Sequence, residues 1–453
     1  MSWEKVKLNQ VLKQYRVQHI VQDDIEYRQV SILNNGSVVL RGNKIGKGIG
    51  RKRQFKIDLK TYPDTLIFTR QLLLQGSIGI ASEDVNDCIV TENMPMFSIQ
   101  TSKIDKEFLI LFLKSEIFKS RIRKIELSGS AQKSIHEKTF LDLEFLIPDI
   151  DLQKIIVVEL LKLKSNGDTI SSELDHQLNL IKQLRQAFLH EAMQGRFEFP
   201  KQPLTEAIEG NGFETGQQLL TKIKAEKAKL IADKKLKKEK ELPPITDEEI
   251  PFEIPEHWAW CRLGEICTKV TDGFHNTPKK LEEGKIYISA THIKDTGIKW
   301  DECLYVSEKD HLELYKKASP QRGEILITNR GAGCGTPAII DIDDEFSFQN
   351  TALIGFNQSL INNKYVYNFI LKSRDEIMEK FVNGGLQPML SNVILKTVPF
   401  PLPPLHEQEQ IVAKLEELMA FCDGLEQSIK ESQGYNEMLL QQVLREALQG
   451  EEV

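Results

Sequence analysis

Seven basic side chains, Arg41, Lys44, Lys47, Arg51, Lys52, Arg53 and Lys56, stand within sixteen residues that hold four glycines and no carboxylate. Guanidinium and ammonium groups on a glycine-rich loop can approach a phosphate backbone and donate charge-assisted hydrogen bonds to it. Arg70, together with Lys119, Arg121, Arg123 and Lys124 on the stretch Lys114–Lys124, extends the same chemistry. A second set mixes neutral and basic groups: His275, Asn276, Thr277, Lys279, Lys280, His292, Asn329, Arg330 and the run Gln349-Asn350-Thr351. Asn and Gln can pair bidentately with adenine, and Arg with guanine. Each of these residues taken singly reads more readily as a turn or core residue. Their clustering around expected loops is what makes them candidate DNA contacts.

No catalytic constellation accompanies them. H-E-x-x-H and G-x-S-x-G are absent, and the six cysteines are scattered with no Cys/His pair at zinc spacing. No catalytic residue and no metal ligand is assigned. Gly42-Asn43-Lys44-Ile45-Gly46-Lys47-Gly48 resembles a phosphate loop but is one residue short, with Gly48 where Ser or Thr would bind magnesium. Gly331-Ala332-Gly333-Cys334-Gly335 would hold an anion only if a helix followed, and Thr336-Pro337-Ala338-Ile339-Ile340 is strand-like. A hairpin turn is the better reading. The Asn/Asp-Pro-Pro-aromatic tetrapeptide of amino-methyltransferases is also missing. The chain is therefore expected to catalyse nothing and to bind no cofactor of its own.

Bulk charge points away from nucleic acid, since the net charge is −7. Its distribution matters more than its sum. Residues 1–150 carry 23 basic and 18 acidic groups, whereas the last 53 carry 3 and 11, so the acidity sits in the final helix, which should face protein. No run approaches ~18 apolar residues and no signal-peptide core is present, so a cytoplasmic protein without a membrane partner is expected.

The elements that must position these groups come in two copies. Residues from Ile147 to Gly195 recur from Leu402 to Gly450 at a constant offset of 255, matching Pro148 to Pro403, Gln153 to Gln408 and Leu160 to Leu415. The match ends on Leu189-x-Glu191-Ala192-x-Gln194-Gly195 against Leu444-x-Glu446-Ala447-x-Gln449-Gly450. The same offset places Trp3 on Trp258, Leu8 on Leu263, Gly129 on Gly384, Gln132 on Gln387 and Phe145 on Phe400. Three- and four-residue spacing makes both shared segments helices, with Gly195 and Gly450 as C-cap glycines. Asn166-Gly167 is expected to break the first, with Asp168 capping the longer part. Ile170, Leu174, Leu178, Ile181 and Phe188, with Leu425, Ile429, Leu439 and Val443, are expected to line a coiled coil formed by the two helices of this one chain.

The remaining segments follow from this frame. Residues 1–147 and 251–402 read as two α+β domains, 148–197 and 403–453 as the helical regions, and 198–250 as a charged helix leading into an extended linker. SVVLRG, DTLIFTR, GEILITNRG and SFQNTALIGF read as strands, and KEFLILFLKSEIFKSRIRKI and NNKYVYNFILKSRDEIMEKF each as a helix.

The motifs Trp3-x-x-x-x-Leu8 and Trp258-x-x-x-x-Leu263, Gly129-x-x-Gln132 and Gly384-x-x-Gln387, and the duplicated helices ending in Glu-Ala-x-Gln-Gly carry a resemblance. Duplicated in register, the arrangement resembles the specificity subunit of type I restriction-modification systems over essentially the whole chain. The resemblance implies two target recognition domains, each reading one half of a bipartite site in double-stranded DNA. It implies an antiparallel, pseudo-twofold intramolecular coiled coil that docks two modification (methyltransferase) subunits. S-adenosylmethionine would sit on those partners, and ATP and Mg with separate restriction subunits. The competing reading is a coiled-coil adaptor that scaffolds proteins without touching DNA.

Overall fold

The computed structural model describes residues 3–50, 52–123, 134–199, 214–274, 277–331, 333–381 and 389–449. The chain divides into two compact units, residues 1–176 with 429–453 and residues 177–428. Arg51, Lys124, Gly129, Gln132, His275, Asn276, Gly384, Gln387 and Gly450 lie outside the described residues.

Each unit is α+β and each rests on the same frame. In the first, strand Glu4–Lys7 pairs antiparallel with Glu144–Ile147; in the second, Ala259–Arg262 pairs with Pro399–Leu402. Beside this pair stands a four-stranded antiparallel sheet. Its strands run Leu12–Tyr15, Met96–Ile99, Thr65–Phe68, Ile78–Ile80 in one unit and Lys269–Asp272, Thr351–Gly355, Ile325–Thr328, Pro337–Ile339 in the other. The duplicated tryptophans do matching work. Trp3 lies 6.4 Å from Phe108 and Trp258 lies 6.5 Å from Tyr365, ring centre to ring centre, each on the helix that covers its sheet.

The units differ in what is added to the frame. The first carries a five-stranded sheet in the order Val17–Ile20, Arg53–Lys56, Ile89–Val90, Glu26–Ile32, Val38–Ile45. The second carries a three-stranded sheet of Leu304–Val306, Lys285–Ser289 and Phe346–Gln349. Gly331 and Gly335 take φ of 83° and 84° in the connection between paired strands Ile325–Thr328 and Pro337–Ile339, so the glycine run is a hairpin turn.

Three local expectations are corrected. The stretch from Lys106 is two helices, Lys106–Lys114 and Glu116–Arg123, because Ser115 is extended (ψ 157°) and turns its hydroxyl back onto the Phe112 carbonyl at 2.7 Å. The lysine-rich helix runs only from Gly216 to Ala232. Beyond it Lys234, Lys235, Lys237 and Lys238 offer like-charge neighbours at helical spacing, which destabilise a helix. Its Leu219, Leu220 and Ile223 are buried in the core that holds Trp258 and Leu402. The extended segment after it is strapped down by Arg262, 3% exposed, which donates to the carbonyls of Pro243 (3.0 Å) and Pro244 (2.8 Å) and forks onto Glu249 at 2.8 Å. That guanidinium holds the Glu249 carboxyl down at about 2.

The third correction concerns the long helices, which run unbroken from Ile150 to Met193 and from Leu405 to Gln449. At 1.5 Å per residue each is roughly 66 Å long. They pack antiparallel. In the first unit Gln433 reaches Asp175 (2.8 Å) and Asn436 reaches the Gly167 carbonyl (2.9 Å) and Ser171 (3.0 Å). In the second, Arg185 pairs with Asp423 (2.6 Å) and Glu426 (3.2 Å). Gly167 does not break its helix; it makes room. A Cβ there would lie 2.6 Å from Leu440 Cδ1, so the glycine is where the Leu440 side chain enters the first helix. Gly195, by contrast, is a C-cap at φ +66°.

The burial pattern also moves the seam. Ile181 is 6% exposed, and Leu174, Leu178, Phe188, Ile429 and Val443 are half-buried, as a seam requires. Ile170, Leu425 and Leu439 are 49%, 37% and 62% exposed, so they lie off it, and Gly167, Ser171, Glu426 and Leu440 take those turns. A seam of period 3.5 passes through small and polar residues that an apolar-only count skips. Gly167→Leu, which an isolated helix would welcome, is therefore expected to destabilise the chain by about 1–2 kcal/mol through overpacking. Leu440→Ala in the same chain should restore most of that loss. Denaturant unfolding followed by helical circular dichroism tests it, and a Gly167→Leu chain as stable as the parent would remove the packing role.

Candidate nucleic-acid interface

In the first unit the basic run begins on Val38–Ile45, the outer strand of the five-stranded sheet, passes through the turn after it and ends on the inner strand Arg53–Lys56. Strand Val38–Ile45 pairs with Glu26–Ile32, and the register jumps from Gln29↔Gly42 to Val30↔Leu40. Arg41 is therefore the extra residue of a β-bulge, and Gly42 follows at φ +132°, open on its Cβ side. A bulge re-aims its side chain away from the pleat. Lys44 follows on the strand and Lys47 on the turn Gly46–Gly48. Arg41, Lys44 and Lys47 are exposed and have no ion-pair partner among the described residues.

The rest of the run is already engaged. Lys52 pairs with Asp23 and donates to the Gly46 carbonyl at 2.8 Å, which ties the turn down. Arg53 donates to the Gln18 side-chain oxygen from Nε and Nη2. Lys56 pairs with Asp87 at 3.0 Å. The loop thus lacks carboxylates in its own sequence while the fold brings two to it. Arg70 is engaged as well: it pairs with Glu137, which Arg16 (3.3 Å) and Gln14 (3.4 Å) also contact. Burial pushes the Glu137 carboxyl up, but the Arg70 hydrogen bond and both guanidinium charges leave it below its usual value. Arg70 is a partner for that carboxylate rather than an open phosphate contact. Arg16, which sequence reasoning did not single out, shares the same carboxylate and lies 5.9 Å over the Phe55 ring, so it too is engaged within the unit.

In the second unit three loops meet at one end of the four-stranded sheet. Gly273 donates its N–H to the Thr351 carbonyl (2.8 Å), Phe274 to Phe348 (3.0 Å) and Asn329 to Asn350 (3.2 Å). Asn350, at φ +56°, makes the turn between Phe346–Gln349 and Thr351–Gly355. Gln349 is buried; its amide donates to Thr277 Oγ1 (3.0 Å) and its oxygen accepts from the Tyr287 hydroxyl. Gln349 therefore holds the Thr277 loop in place. The Asn329 amide donates to Asp272 Oδ1 at 3.3 Å, and its own oxygen has no hydrogen-bond partner among the described residues.

The structure thus brings Thr277, Asn329 and the Gln349–Thr351 run together. Lys279, Lys280 and Arg330 are exposed on the same loops. His292 does not join them. It is 6% exposed, with one ring nitrogen 3.1 Å from the Ser289 N–H and the other 3.0 Å from the Glu302 carbonyl, so it closes a turn internally. A histidine bonded on both ring nitrogens has nothing left for a base edge.

Among the described residues no group of three or more His, Cys, Asp or Glu could hold a metal ion, and no helix is long and apolar enough to cross a membrane.

Comparison with known proteins gives a consistent picture. A family model described as the type I restriction modification DNA specificity domain matches residues 255–432. The type I restriction enzyme EcoAI specificity subunit of Escherichia coli is 29% identical over 261 residues, 54% of this chain and 41% of that protein. The EcoBI specificity subunit of Escherichia coli is 23% identical over 403 residues, covering 86% and 74%. The chain spans about two fifths of the EcoAI and EcoEI subunits. Among solved structures, a chain of a type I R-M system has a TM-score of 0.65 at 16% identity, covering 99% of this chain and 98% of that one. The HsdS subunit from Thermoanaerobacter tengcongensis has a TM-score of 0.54 at 16% identity, covering 99% and 97%. These likenesses place the fold.

Proposed function

We propose that the chain, whose residues 255–432 match the family model described as the type I restriction modification DNA specificity domain, is the DNA-recognition subunit of a type I restriction-modification complex. Each α+β domain reads one half of a bipartite double-stranded site, and the paired long helices dock two modification subunits. The chemistry belongs to the partners: S-adenosylmethionine to the modification subunits, ATP and Mg to restriction subunits. This chain supplies only the address.

One observation carries the reading. Two units share one frame, and what differs between them, the five-stranded sheet of one and the three-stranded sheet and loops of the other, bears the candidate contacts. A constant frame with exchangeable readers is how two unlike half-sites are served by one chain. An adaptor that touched no DNA would not need two different polar loop clusters.

The test is binding of the chain, assembled with its modification subunits, to duplexes bearing the site found methylated in the host. Base changes in either half should each weaken binding by about 1–3 kcal/mol per pair. Binding indifferent to both halves would overturn the proposal. Within the first unit, Arg41→Ala, Lys44→Ala and Lys47→Ala combined should weaken binding to all sequences alike and flatten the log–log salt slope by about 2.7, at ~0.9 per phosphate contact. The pair Lys52→Ala and Arg53→Ala should change that slope by less than one, since both side chains are engaged within the unit. Equal slopes for both variants would return these cations to plain surface.

A further inference from the structure

Two glutamines stand out from the duplicated helices because they are polar and wholly buried. Gln153 and Gln408 are both 0% exposed, in the first turns of the two long helices, at equivalent places of the repeat. A buried amide is tolerated when its oxygen and nitrogen are both engaged, and costly when they are not.

Their engagements are the same in each unit. The Gln153 nitrogen donates to the Pro148 carbonyl (2.8 Å), just past the base strand Glu144–Ile147, and its oxygen accepts the Asp105 N–H (2.8 Å). Asp105 is the N-cap of helix Lys106–Lys114, its carboxylate accepting from Glu107 N (2.9 Å) and Phe108 N (3.0 Å). The Gln408 nitrogen donates to the Pro403 carbonyl (2.9 Å), just past Pro399–Leu402, and its oxygen accepts the Asn362 N–H (2.9 Å). Asn362 caps helix Asn363–Phe381, its Oδ1 accepting from Lys364 N (2.9 Å) and Tyr365 N (3.2 Å). In each case one side chain ties a strand end, a helix start in the recognition domain and the first turn of the long helix.

The same three elements are joined by the same kind of side chain in both units. The carbonyl and N–H it bridges belong to backbone, so the angle between domain and helix is held by groups that substitution elsewhere in the variable segments leaves in place. That explains why a polar residue recurs inside the repeat where an apolar one would pack.

We infer that Gln153 and Gln408 are positioning residues: each fixes the direction in which one recognition domain leaves its long helix, and so sets the spacing at which the two half-sites are read. This rests on the DNA reading above. The measurement is the binding profile of the full chain with its modification subunits over duplexes whose spacer varies one base pair at a time. The parent should bind one spacer length at least tenfold better than its neighbours. Gln153→Met and Gln408→Met, apolar and of similar length, should each cut that preference to about twofold while leaving base preferences within each half-site unchanged. Phe140→Leu, a core change in the first unit away from the bridge, serves as the stability control and should keep the sharp profile. Should a Met variant not fold, Gln153→Glu or Gln408→Glu, which keeps the acceptor and gives up the proline bond, is read the same way.

Glutamine variants with the control's sharp profile would overturn the inference. A parent with no spacer preference at all would instead overturn the DNA reading on which it rests.

Discussion

Removing one heptad from each long helix, Ser172–Leu178 and Ile429–Tyr435, is expected to shorten the preferred spacer by about three base pairs. Seven residues at 1.5 Å make about 10 Å of helix, and a base pair occupies roughly 3.4 Å of duplex. The deletion takes matched turns, so Gly167, Ser171, Asn436 and Leu440 keep their contacts in the first unit and Arg185, Asp423 and Glu426 keep theirs in the second. The parent site should lose at least about a hundredfold in affinity. Three base pairs also turn the duplex by about 100°, and twisting DNA back costs several kcal/mol. The spacer-length binding profile is the measurement, and an unchanged optimum would show that the helices do not set the distance. Removing seven residues from one helix alone breaks the antiparallel register and should abolish a defined optimum.

On the proposed function, exchanging the variable part of the second domain for that of a relative such as the EcoAI specificity subunit should rewrite one half of the recognised sequence and leave the other half untouched. The structure indicates where to cut. The base strands Ala259–Arg262 and Pro399–Leu402, the strap held by Arg262, and Gln408 with its Pro403 bond lie outside residues 267–390, so the exchange should fall within those bounds. The incoming segment must supply the helix N-cap N–H that Asn362 gives to Gln408 here. The parent site should then be bound no better than unrelated DNA, about a thousandfold or more below its starting affinity. Sequencing of methylated host DNA reads the result directly. Changes in both halves, or in neither, would defeat the modular reading.

The repeat was visible because the residues that recur are those with the least freedom. Trp3 and Trp258 must fill the same hole beside a helix, Gly195 must take positive φ, and Gln153 must bridge the same backbone groups. The shared four-stranded sheet was not visible as a repeat, because its residues need only be apolar and alternate, and different side chains satisfy that equally well. The seam was misplaced at Ile170, Leu425 and Leu439 because hydrophobicity was taken as a proxy for burial. The inward positions beside these three are Ser171, Glu426 and Leu440, and a residue one place off an inward position faces outward whatever its polarity.

The candidate contacts were legible as chemistry but not as availability. Nothing in the string Arg51-Lys52-Arg53 says that Asp23, nearly thirty residues earlier, will claim Lys52, or that Glu137 will claim Arg70. Long-range pairing is decided by the sheet order, and the order follows from packing the whole unit. Single side chains such as His292 and Gln349 were reassigned for the same reason: a buried turn or strand end needed a hydrogen-bonding plug, and they supply it.

The two units also differ in how the ribosome can deliver them. Residues 177–428 make the second unit from one uninterrupted stretch, whereas the first draws on 1–176 and on 429–453. Leu444 and Leu448, which pack into the core around Phe108 and Val157, are synthesised after every residue of the second unit. The first domain to be translated is thus the last to be sealed, and a chain interrupted inside the second domain leaves the first one open as well. Closure of the first unit therefore certifies that the second has been translated in full, so a truncated chain presents neither unit in finished form.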